Sequence, residues 1–146
     1  MSNYNVLEDD VFMEKVKQIV EWTKTSLASL ETDDVEITYQ CGQVAILSGR
    51  VSRDVAEVDR RLDLLEATKY ASYREQRENL QGGKVTEKQI EADITRDEQV
   101  QEMRSLLGEM KSRLSTVERL WDTLNLSKRQ WIERNKARID HEIKMK

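Results

Sequence analysis

An all-α fold is what this sequence predicts: an elongated antiparallel helical hairpin, coiled-coil-like, with an additional N-terminal helix and a tendency to self-assemble. Three observations carry that expectation. The 146 residues include no proline and only five glycines, so the corners of a β-sandwich or barrel have almost nothing to be built from. Apolar residues make up 38%, below the roughly 45–50% of an average globular domain, while 36% are charged. Apolar residues also recur at alternating spacings of four and three along most of the chain, the rhythm of helix faces that pack on other helices.

The first element is predicted from about Leu7 to Glu31. Phe12, Val16, Ile19, Thr23, Ser26 and Leu30 form a helical stripe with polar gaps, and Asp9 and Asp10 stand where a cap and a dipole-complementing acid belong. Thr32-Asp33-Asp34 is a short polar connection, placing an acidic N-terminal helix in residues 1–33 and the long hairpin in 34–146. Val35, Ile37, Tyr39 and Cys41 alternate as a strand would. A longer pattern overrules them: Ile37, Cys41, Val44, Ser48, Val51, Val55, Val58, Leu62, Leu65 and Lys69 keep one seam, so a single helix is predicted from about Asp34 to Leu80. Beside it runs a stripe of small residues, Gly42, Ala45, Gly49, Ser52 and Ala56. Glycine costs about 1 kcal/mol relative to alanine inside a helix. Either another helix approaches closely here, or one of the two glycines marks a turn.

Gln81-Gly82-Gly83 is the clearest punctuation. Thr86 with Gln89 then reads as a capping box opening a short helix with Ile90 and Ile94, and Thr95 with Glu98 repeats the signature near a restart at Arg96-Asp97. In the last helix Val100, Leu107, Leu114 and Trp121 are seven apart, and Met103, Met110, Val117, Leu124 and Trp131 fill the other heptad position. The frame slips to Ile132, Ile139 and Ile143 after a third possible cap at Ser127. Two seams of similar length joined by Gly-Gly should fold back antiparallel, and their leftover apolar edges should pair with other copies.

Composition excludes several functions. No stretch approaches the roughly 20 apolar residues of a membrane span, and the opening Met-Ser-Asn-Tyr-Asn has neither a basic nor an apolar leader region, so a cytoplasmic protein is expected. One cysteine, Cys41, falls on the apolar seam, and the one histidine, His141, lies 100 positions away in a basic tail. Neither offers a nucleophile pair or a multi-histidine metal site. Gly82-Gly83 lacks the downstream Lys-Ser/Thr of a phosphate loop, and the carboxylates fall on solvent faces. No enzyme, metal or cofactor is expected.

Charge is polarised along the chain. Residues 1–40 hold nine acids and three bases, whereas residues 128–146 hold seven bases and three acids, within an overall charge of −4. Two clusters could hold nucleic acid. In the first, Lys69, Tyr73 and Arg77 lie four apart with Tyr70 and Arg74 beside them, so bases could stack on tyrosine while the cations neutralise phosphates. The alternative is that the tyrosines pack and the cations are solvated. The second is the tail, with Lys128, Arg129, Trp131, Arg134, Lys136, Arg138, Lys144 and Lys146. Basic residues there also suit the dipole of a helix C-terminus.

The run Tyr39-Gln-Cys-Gly-Gln-Val-Ala-Ile-Leu-Ser48 is similar to the Tyr-Glu-Ala-Ala and Val-Met-Leu-Tyr-Ser elements of the phage recombination mediators of the UvsY family. Downstream, Glu66-Ala67-x-Lys69 matches that family's Glu-Ala-x-Lys. Asp97-Glu98-Gln99-Val100 resembles its Asp-Lys-Asp-Val, again opening a long helix with a basic end. The resemblance covers about residues 35–140 in order and spacing. It implies a ring-like homo-oligomer that binds single-stranded DNA, displaces single-strand-binding protein and helps load a RecA-like recombinase. The family's basic Lys-x-Arg places its Lys on Arg74 and its Arg on Gln76, with Arg77 adjacent, a departure from the pattern. The rival expectation is a coiled-coil scaffold or inhibitor protein that binds no nucleic acid.

Overall fold

The four-three rhythm folds as helix wherever it falls on described residues. The computed structural model describes residues 4–28 and 32–145, and among them there is no strand. The elements are α1 (Asp9–Trp22), a π-helical turn (Thr23–Leu27), α2 (Asp34–Gln81), α3 (Glu87–Arg96) and α4 (Glu98–Met145). The alternation from Val35 to Cys41 is therefore helical, and neither Gly42 nor Gly49 interrupts α2. Leu30, Glu31 and Lys146 lie outside the described residues, as does the side chain of Ile139.

Local chemistry explains where the helices begin and end. Asp33 accepts from the Glu36 N–H at 2.9 Å and opens α2. Gly82 closes it with φ +58°, a left-handed conformation open to glycine, and its N–H returns to the Glu78 carbonyl. Thr86 and Gln89 form the reciprocal capping box that their spacing predicts. The restart that follows is capped differently from the expectation. Asp97, not Thr95, accepts the Val100 N–H at 3.1 Å, while the Thr95 hydroxyl turns back to the Glu91 carbonyl. Ser127 caps nothing, because α4 runs on without a break.

The first helix departs from a regular α-helix at its described end. The Thr23 and Thr25 hydroxyls donate to the Ile19 and Glu21 carbonyls at 2.8 and 2.7 Å, and the backbone there widens into the π-helical turn. That re-aims the stripe, so Leu27 becomes a buried anchor.

The chain forms two compact units: residues 1–51 with 113–146, and residues 52–112. In the first, Phe12, Ile19 and Leu27 from α1 and its turn pack with Ile37, Val44, Leu47 and Val51 of α2 and with Val117, Leu120, Leu124 and Trp131 of α4. This is a three-helix core. Arg113 joins it by a guanidinium over the Phe12 ring at 5.2 Å, a bond to the Leu7 carbonyl at 2.6 Å and a contact to Asp9 at 3.3 Å. Arg113 and Leu120 are consequently buried, while Trp121, on the expected seam, is left exposed.

In the second unit the buried apolar side chains are Val58 and Leu62 of α2, Ile90 and Ile94 of α3, and Val100, Leu107 and Met110 of α4, and Asp54 and Asp97 are buried with them. Glu66 meets Arg104, whereas Lys69 and Tyr73 reach back to Asp97, so the α2 and α4 segments here run antiparallel.

Candidate nucleic-acid interface

The last three turns of α2 carry the first predicted cluster. Spacings of three and four put Lys69, Tyr70, Tyr73 and Arg77 on one side of the helix, and all four are half-buried. What covers them is α3 and the residue after it. Arg77 makes a two-pronged pair with Asp93 at 2.6 and 2.9 Å. The Tyr73 hydroxyl donates to Asp97 at 2.5 Å, Lys69 approaches the same oxygen at 3.2 Å, and the Tyr70 hydroxyl donates to Glu87 at 3.1 Å. Arg74 points to solvent and pairs along its own helix with Glu78 at 3.0 Å. The structure thus gathers the five residues, and supplies each with a carboxylate.

Two of these contacts, Tyr73 with Asp97 and Arg77 with Asp93, shift the titration of both partners. The Asp97 carboxyl is held at about 2, chiefly by the Tyr73 hydrogen bond. Burial opposes that effect, and the Val100 N–H and the Lys69 ammonium add to it. Tyr73 is pushed up in return, first by its bond to Asp97, then by burial and the nearby carboxylate charges. Asp93 is lowered by the Arg77 guanidinium, and Arg77 is raised by Asp93.

The second cluster has a different character. Trp131 is only 6% exposed and belongs to the core of the first unit, so its indole offers no stacking face to a base. Lys128 is half-buried, and Arg129, Arg134, Lys136, Arg138 and Lys144 are exposed. Arg138 donates to Asn135 at 2.7 Å. Among the described residues, Lys128, Arg129, Arg134, Lys136 and Arg138 have no carboxylate partner within ion-pair distance. From Ile132 onward the described side chains are exposed or, at Asn135, half-buried, so none of these described side chains belongs to the core.

Reading the sequence missed Asp93 and Asp97. Their spacing of four on an acidic helix looks like ordinary solvated charge, and only the fold-back register turns them toward α2. Arg113 was missed for the same reason, since its partners lie about a hundred residues away. Among the described residues no group of three or more His, Cys, Asp or Glu is placed to hold a metal, and no helix is long and apolar enough to cross a membrane. Comparison with protein-family models, with curated proteins and with solved structures finds no match to this chain.

Proposed function

We propose that this protein is a self-assembling helical accessory factor that binds single-stranded DNA and acts as a recombination mediator. In that role it promotes loading of a RecA-like recombinase in place of single-strand-binding protein. The observation that carries the reading is the exposed cationic end of α4, where Arg129, Arg134, Lys136 and Arg138 face solvent without carboxylate partners among the described residues. Cations placed so neutralise phosphates without reading sequence, and they suit a strand whose bases are left accessible. One copy would bind weakly. Several copies, paired through their unused apolar edges, would present the same face repeatedly and gain by avidity.

Self-assembly has its own support in α2. Val35, Tyr39 and Ile46, spaced four and seven apart, are 77%, 61% and 68% exposed. They share a heptad face with Gly42 and Gly49, where no described residue lies within 4 Å of an added Cβ. That face also favours the rival reading, a scaffold that assembles without nucleic acid. The two readings part on one experiment: the purified protein mixed with labelled single- and double-stranded oligonucleotides at low and moderate salt. The mediator retards the single strand at low salt and releases it as salt rises. The scaffold leaves both unmoved.

A further inference from the structure

α3 is a ten-residue helix with non-helical backbone on both sides. On one side are Gly82 and Gly83 and the extended approach to Thr86; on the other is Asp97 at ψ 126°. So short a helix does not persist on its own, and it is held by two buried side chains, Ile90 and Ile94, together with its polar contacts. Those contacts fall on one set of partners. Asp93 occupies Arg77, Asp97 occupies Lys69 and Tyr73, and Glu87 takes the hydroxyl of Tyr70. Asp93 and Asp97 are separated by about 6 Å of helix rise, matching the four-residue steps on α2.

We propose that α3 and Asp97 form an autoinhibitory latch, a row of carboxylates that competes in cis with the phosphates of single-stranded DNA for Lys69, Tyr73 and Arg77. The inference rests on the DNA-binding reading above and assigns the α2 face a gated share in it. Carboxylate and phosphate oxygens accept the same two-pronged bond from a guanidinium, so one must leave for the other to enter. An internal competitor sits at high effective concentration, and the apparent affinity of the α2 face falls by the fraction of molecules in which it is released. The breaks at Gly82-Gly83 and at Asp97 are the two places where the backbone can turn to let α3 swing away.

The test is binding of a labelled oligothymidylate by the full chain, by Asp93→Asn with Asp97→Asn, and by a control, Glu91→Gln with Glu102→Gln. The control removes the same charge from exposed positions, and asparagine at position 97 still caps α4. The latch predicts roughly tenfold tighter binding by the asparagine pair and less than about a twofold change in the control. It also predicts that amides of α3 lose hydrogen-exchange protection when the oligonucleotide is added to the unaltered protein. If the asparagine pair binds no tighter than the control, the latch is overturned while DNA binding stands. If no version binds at low salt, the DNA-binding reading itself has failed. Should the double variant lose helicity by circular dichroism, Asp93→Asn alone, which leaves the Asp97 cap intact, decides the matter by the same comparison.

Discussion

Asp97 shows how much one side chain does at the junction of α3 and α4: one oxygen caps α4 at Val100, and the other receives Tyr73 and Lys69. Its carboxyl titrates at about 2, below the ordinary value, so its stabilising contribution is complete above about pH 4. That contribution is lost as pH falls through 2. Tyr73 works in the opposite direction: its raised value favours the neutral phenol, and that stability disappears as pH climbs past 10. Melting followed by circular dichroism from pH 7 to pH 2 should therefore fall more steeply for the unaltered protein than for Asp97→Asn. Equal slopes would mean that the carboxylate contributes nothing. Asp97→Ala, which removes cap and partners together, should melt several degrees below Asp97→Asn. Gly82→Ala meets no described neighbour within 4 Å, so its cost, about 1 kcal/mol, comes from the left-handed backbone, and chemical denaturation measures it.

Along α2, all ten seam positions from Ile37 to Lys69 are buried or half-buried, because a heptad rhythm reports a helix face whatever packs on it. In α4 the same reasoning holds for Val100, Leu107, Met110, Val117 and Leu124 and fails at Trp121. There α1 packs as a third helix and draws Arg113 and Leu120 inward instead. A two-helix pattern carries no information about where a third helix will lie. Nor did periodicity reveal the π-helical turn, which arises where threonine hydroxyls compete for backbone carbonyls. The glycines of α2 allow a sharper test than the pattern did. Among the described residues nothing lies within 4 Å of a Cβ added at Gly42 or Gly49, so none of the described helices approaches closely there. Alanine at each should stabilise the dilute protein by about 0.5–1 kcal/mol. If copies meet on this face, the same pair of changes weakens association in sedimentation velocity while raising the melting temperature. Association that strengthens or stays constant removes the face from the assembly.

For the molecule as a whole, the candidate interface was half legible in the sequence. The positions of the cations could be read directly, since helical spacing alone groups Lys69, Tyr73 and Arg77. Their availability could not, because it depends on which acids the returning chain sets opposite them. Trp131 is the converse case. It fits both a heptad and a basic tail, and the packing of Thr23 and Leu27 around the end of α1 draws it into the core. Of the two predicted clusters, it is the exposed end of α4 whose cations lack carboxylate partners among the described residues. Changing Ile46→Glu on the far face of α2 should reduce assembly, and with it avidity for long oligonucleotides, while leaving the affinity for a short one within about twofold. The decisive measurement is the salt dependence of oligothymidylate binding by the unaltered protein and by Arg129→Ala, Arg134→Ala and Lys136→Ala combined. Every single-strand phosphate that goes without its cation lowers the slope of log affinity against log salt by about 0.7, so the triple variant should show a slope shallower by roughly 2 and bind more weakly. An unchanged slope and affinity would show that α4 does not hold the strand.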